Sequence, residues 1–121
     1  MKIGISSTGT GMDSMLDARF GRCSCFAVVD TGSGSAEYID NTARTASGGA
    51  GTAAAQAMID AEVDAVVTGN MGPNAFNVMA NSDIKVYRCG NVSLQTALDL
   101  FKDAKLQEIT QAGPAHAGMR R

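Results

Sequence analysis

VDAVVTGNMGPNAFNVMA, residues 63–80, is the stretch that decides the fold. Val63, Ala65, Val66 and Val67 form a short apolar, β-branched run of the kind found in strands covered on both faces. Gly69 and Gly72 bracket a tight turn. Pro73 suits the first position of a helix, where its missing N–H is not needed and its φ is already helical. Phe76, Met79 and Ala80 then recur at helical spacing. A strand that feeds directly into a helix N-terminus presents unpaired backbone N–H groups, a natural seat for an anion on an α/β sheet.

Working outward, residues 3–6 read as a first strand, followed by a long loop to about residue 22 that carries Gly9, Gly11, Asp13, Asp17 and Gly21. Loops of this length in a small domain are usually functional or mobile. CFAVVD (residues 25–30) and AEYID (36–40) flank TGSGS and predict a hairpin. A second loop, with Arg44 and Ser47-Gly48-Gly49, opens a small-residue helix over about 51–61. After the central unit, residues 84–88 predict a fifth strand, and residues 92–102 a helix with Ser93 as its cap. Residues 106–109 read as a short appendix. The order βββαβαβα predicts an α/β fold with one five-stranded mixed sheet, strand order 3-2-1-4-5, flanked by three helices. Residues 1–110 then form a single domain and 111–121, QAGPAHAGMRR, a flexible tail that holds the only histidine, His116.

Composition narrows the function. The chain has 121 residues, 45% of them apolar, enough for one well-buried core. A formal net charge of −2 argues against general nucleic-acid or membrane-surface binding, and the absence of Trp removes much of the material for base stacking. The opening strand in place of a signal peptide points to the cytoplasm. Three cysteines, an odd number, do not form a disulfide framework.

In the expected topology the two long loops and the C-terminal ends of the parallel strands meet at one rim. Arg19, Arg22, Arg44 and Arg88 all fall there, and arginine offers a fixed fork of donors to a polyatomic anion. The glycine turns near Gly49 and at Asn70-Met71-Gly72 add backbone N–H groups. Cys23 and Cys25, two apart on a strand, would turn their thiols to one face and could share a soft metal or sulfide; the spacing is not a zinc signature, and burial is the competing reading. Met71 reads equally as a soft contact or a core plug. Cys89 favours a structural role.

The ordered set KIGIS, DARFGRCSCFAVVD, IDNTA, GAGTAAAQAMID, VVTGNMGPNAF, IKVYRCGNVSLQTALDLF and KLQEI resembles the dinitrogenase iron-molybdenum cofactor biosynthesis family over residues 1–110. In size and single-domain layout the chain is similar to the orange-protein-like members. The resemblance implies a ribonuclease H-like fold and a role in carrying or scaffolding an anionic metal-sulfur cluster, molybdenum with copper or iron plus sulfide. No nucleotide cofactor is expected. For such a cluster the chemistry of the rim residues makes Arg19, Arg22, Cys23, Cys25, Gly49, Asn70, Met71 and Gly72 the expected contacts, with Cys23, Cys25 and Met71 as the metal-facing ones.

Enzyme readings find little support. The first strand carries no acid for two-metal nuclease chemistry, no phosphate-loop motif is present, and the one histidine stands apart from any Ser-His-Asp order. Two other classes stand beside the carrier. One is a regulatory or interaction domain that senses cluster or redox state through a partner protein. The other is a binder of a phosphorylated small molecule at the same N–H crevice. A monomer or weak dimer, with protein partners in cofactor assembly, completes the expectation.

Overall fold

The computed structural model describes residues 1–46 and 48–113. Its elements are β1 (Lys2–Ser7), β2 (Cys25–Asp30), β3 (Ala36–Asp40), α1 (Ala50–Asp60), β4 (Ala65–Thr68), α2 (Pro73–Asn81), β5 (Lys85–Arg88), α3 (Leu94–Lys102) and β6 (Gln107–Glu108), with a 3-10 turn at Phe20–Arg22. They build one mixed sheet in the order β3-β2-β1-β4-β5-β6. β1, β4 and β5 run parallel, whereas the β2–β3 hairpin and β6 pair antiparallel to their neighbours.

The five expected strands and their order are observed, and the count is corrected to six. The short segment expected as an appendix pairs with the end of β5, Tyr87 opposite Glu108 and Arg88 opposite Gln107. Two exposed polar residues give no alternation for a sequence reading to detect. A second correction concerns the cysteines. β2 begins only at Cys25, so Cys23 lies outside the strand, and the two thiols do not share a face by strand alternation.

The core is double, one layer on each side of the sheet. Phe26, Val28, Val66 and Val86 pack with Ala54 and Met58 of α1 and Met79 of α2. Ile3, Ile5, Ala27, Val29, Ala65 and Val67 pack on the other face with Leu94, Ala97 and Leu98 of α3. Strict alternation along β4 explains why its four residues are all buried. Each such aliphatic side chain contributes about 1.5–3 kcal/mol on burial.

The long first loop is stitched down. Thr8 N–H donates to the Met15 carbonyl at 3.0 Å, Leu16 N–H to Val92 at 2.8 Å, and Asp17 N–H to Ser6 at 2.9 Å. Leu16 is 2% exposed and joins the α3-side core. The loop is therefore an ordered edge of the rim.

Candidate functional site

Three helices start near this rim, and their first turns differ. Ser93 caps α3, its Oγ accepting from Thr96 N–H at 3.1 Å. Leu94 and Gln95 N–H groups donate to the Ser14 and Met12 carbonyls, both at 2.9 Å. The α3 N-terminus is thus closed by the first loop. By contrast, Ala50, Gly51 and Thr52 of α1 and Asn74 and Ala75 of α2 have no N–H acceptor among the described residues. Those two open first turns also converge: a β-carbon on Gly51 would stand 3.4 Å from the Ala75 β-carbon. The first turns of both helices, each carrying the positive end of a helix dipole, therefore lie side by side.

The 3-10 turn seals one side of that region. Gly21 packs directly on the Ala50-Gly51 backbone. Asn41, at the end of β3, is buried and donates through Nδ2 to the carbonyls of Gly21 (3.1 Å) and Cys23 (2.9 Å), fixing the turn against the sheet. Arg19 pairs with Asn70 as an isolated parallel bridge, and Asn70 N–H donates to the Ala18 carbonyl at 2.8 Å. Asn70 therefore spends its backbone donor inside the protein. Beneath the loop, Ser6 Oγ donates to the Asp17 carbonyl at 2.6 Å. Its single proton is thereby used, so the buried 2.7 Å contact with Thr68 must be donated by Thr68 Oγ1.

The arginines divide by what they hold. Arg19 is 65% exposed and forms a forked pair with Asp17, Nε to Oδ1 and Nη2 to Oδ2, both 3.2 Å. That hydrogen bond first, and the carboxylate charge second, raise the Arg19 guanidinium above its ordinary value. The pair uses Nε and Nη2, and the rest of the exposed guanidinium makes no hydrogen bond among the described residues. Arg22 Nη1 donates to the carbonyls of Arg44 (2.7 Å) and Ala46 (2.6 Å), which orders the approach to α1. Arg44 is tied to Asp40 and to the Asn41 carbonyl. Arg88 stands exposed at the end of β5 beside β6.

The soft residues lie inward. Cys23 is fully buried in the α1/α2-side core; its Sγ donates to the Phe20 carbonyl at 3.3 Å and lies 3.8 Å from Asn41 Nδ2. Burial pushes its thiol up to about 12. Cys25 is 5% exposed and turns to a different partner, the Gly9 carbonyl at 3.3 Å; burial raises its thiol as well, and that of Cys89. Met71 is 1% exposed in the same core as Cys23. Among the described residues no three His, Cys, Asp or Glu converge into a cage for a single ion. His116 lies outside the described residues. Asn41, Ser6 and Thr68 were not singled out by sequence; a lone Asn after a strand, as in IDNTA, was the available signal for the first.

Two open helix first turns at one rim, with the cysteines enclosed, mark a small mixed α/β domain. The chain belongs to a family described as dinitrogenase iron-molybdenum cofactor, whose sequence profile residues 1–104 match. Its fold is similar to the apo form of the orange protein from Desulfovibrio gigas, with a TM-score of 0.89 and 34% identity, covering 93% of this chain and 95% of that one. A candidate NifB protein from Thermotoga gives a TM-score of 0.82 at 32% identity, covering 94% and 97%. An uncharacterized protein of Methanocaldococcus jannaschii is 33% identical over 100 residues, 80% of this chain and 85% of that protein.

Proposed function

We propose that this chain is a carrier or scaffold that binds an anionic metal-sulfur cluster non-covalently at the rim, for cofactor assembly, storage or delivery, without turnover. The observation that carries the reading is the pair of converging, open first turns of α1 and α2, against the closed first turn of α3. An iron-molybdenum or molybdenum-copper sulfide cluster is large, soft and negatively charged. It suits a surface of N–H donors better than a cage cut for one cation.

In this reading Arg19 contributes charge directly, and Arg22 holds the loop that leads to the α1 donors. The turns at Gly49 and Gly72 position those donors, and Asn70 sits beside them. Cys23, Cys25 and Met71 are all 5% exposed or less, so a soft contact from any of them requires the overlying turns to shift. The ribonuclease H-like assignment belongs to the same proposal and is supported by the strand order β3-β2-β1-β4-β5. So do a cytoplasmic location, a monomer or weak dimer, and protein partners in cofactor assembly. Among the described residues no helix is long and apolar enough to cross a membrane.

The test is metal and acid-labile sulfide analysis, with a visible spectrum, on protein purified anaerobically from its native host. Stoichiometric molybdenum with copper or iron, together with sulfide and a charge-transfer band, is the expected result. Colourless, metal-free protein that also fails to take up tetrathiomolybdate with copper would overturn it.

A further inference from the structure

β3 is the outer strand at one end of the sheet, and among the described residues only β2 pairs with it. Two backbone bonds fix which of its polar groups are already used. Asp30 N–H donates to the Ser35 carbonyl at 2.9 Å and Asn41 N–H to the Ser24 carbonyl at 3.0 Å, so these are hydrogen-bonded pairs at the two ends of the hairpin. Such pairs alternate along an antiparallel ladder, which makes Val28 with Glu37 and Phe26 with Ile39 the bonded pairs between them. Ala36, Tyr38 and Asp40 therefore turn their N–H and C=O groups away from β2.

Natural sheet edges are usually blunted by proline, lysine, a bulge or extreme shortness. β3 has five residues, no Pro or Lys, and an unbroken one-to-one register with β2, whereas the opposite edge, β6, has only two residues. The strand is also complementary to itself. A two-fold axis through Tyr38 sets Tyr38 against Tyr38 of a second copy and Ala36 against its Asp40, so all the outward residues enter hydrogen-bonded pairs. Glu37 then lies opposite Ile39. Moving the axis to Glu37 would oppose two like charges, and moving it to Ile39 would leave Ala36 without a strand partner. The side chains agree with the backbone: Tyr38 is half-buried on the α3-side core and Ile39 on the α1/α2-side core, so one pairing extends both layers. Arg44, 3.4 Å from Asp40, offsets one of the acidic charges on the strand.

We propose that two copies of this chain join β3 to β3, antiparallel and centred on Tyr38, into one continuous sheet. The two rims then lie at opposite ends of that sheet, because β3 runs toward the rim, where Asn41 holds the 3-10 turn. The pairing uses no residue of the α1 or α2 first turns, and it stands or falls independently of what the rim binds.

Sedimentation equilibrium of the full chain, from micromolar to millimolar concentration, is expected to show monomer and dimer in exchange. Ala36→Pro removes an outward donor and leaves the bonds to β2 in place, so it should weaken the dimer by about tenfold or more, the scale of a lost hydrogen bond at a blocked edge. Tyr38→Cys reads the register. Hydrogen-bonded antiparallel partners have Cα atoms about 5.5 Å apart, inside the roughly 4.4–6.8 Å span of a disulfide. Mild oxidation of Tyr38→Cys should thus give a covalent dimer, whereas Ala36→Cys, set against Asp40 of the other copy, should not; the native thiols are all buried. A chain that stays monomeric throughout, a dimer indifferent to Ala36→Pro, equal crosslinking at both positions, or assemblies that grow beyond two copies would each overturn the proposal. Circular dichroism checks the folding of each variant, and if Ala36→Pro does not fold, the crosslinking pair decides.

Discussion

Gly21 and Gly51 touch backbone to backbone: a β-carbon on Gly21 would stand 3.0 Å from both the Cα and the nitrogen of Gly51. This contact sets the 3-10 turn against the first turn of α1, which is why the FGR segment and the small-residue helix belong to one site. A backbone cannot move aside as a flexible side chain can. Gly21→Ala should therefore destabilise the fold by about 1–3 kcal/mol, through overpacking. Gly51→Ala makes only an ordinary contact with Ala75 and removes a helix-disfavouring glycine, so it should be neutral or slightly stabilising. Urea unfolding of both variants checks the asymmetry, and equal losses would show that the close contact does not govern the site.

The Ser6–Thr68 pair makes a second asymmetric prediction. Ser6→Ala removes the donor to the Asp17 carbonyl and the acceptor for Thr68 in one step, leaving two groups unsatisfied at buried residues. The cost should be about 1–3 kcal/mol. Thr68→Val removes only a donor to Ser6 and keeps the shape of the side chain, so it should cost clearly less. Because Ser6 holds the far end of the first loop, Ser6→Ala should also speed hydrogen exchange at the Asp17 N–H. Thermal unfolding with amide exchange is the measurement.

Most of the fold was legible because the strong signals were local. The alternating and continuous apolar runs marked β1, β2, β4 and β5, TGSGS marked the hairpin, Pro73 marked the α2 start, and Ser93 was the observed cap of α3. β6 escaped because Gln107 and Glu108 are exposed and carry no period. The site was legible as a place more than as a set of contacts. Glycines and arginines named the rim, but whether a helix N-terminus is open depends on distant partners. Met12 and Ser14 close α3 from eighty residues away, and no local pattern announces that. The same holds for Cys23, whose place in the core follows from the 3-10 turn before β2, where its Sγ donates to the Phe20 carbonyl.

The thiols give a pH prediction. Burial holds Cys23 protonated far above the ordinary thiol range, up to about 12, whereas in the unfolded chain it titrates near 9.0. The native state thus binds the proton more tightly than the unfolded state. The corresponding stability is fully present below pH 9 and is lost as pH rises from about 9 to about 12. Cys23→Ser removes a titrating group from that window, so its alkaline loss of stability should be shallower than that of the parent, whatever the offset at pH 7. At neutral pH all three thiols should react with a disulfide reagent much more slowly in the native protein than in denaturant. Rapid native reaction of Cys23 would contradict its enclosure.

Asp17 offers the sharpest test of the electrostatic argument at the rim. Its carboxylate occupies two of the Arg19 donors and sits, 10% exposed, beside the place where anionic cargo is proposed to bind. Asp17→Asn keeps an oxygen for the Arg19 N–H but removes the charge and loosens the guanidinium. Arg19, the other member of the pair, is 65% exposed, and the amide keeps an acceptor for it, so the lost charge should cost only about 0–1 kcal/mol of stability. Affinity for tetrathiomolybdate should rise several-fold at low salt, and the gain should fade as salt screens it. Arg19→Ala combined with Arg22→Ala should move affinity the other way, and further than Cys89→Ser, whose thiol is buried among apolar neighbours of α3. A titration in which Asp17→Asn weakens binding would show that the paired, pre-oriented Arg19 is the binding form. One in which none of these changes matters would remove charge from the account of the site.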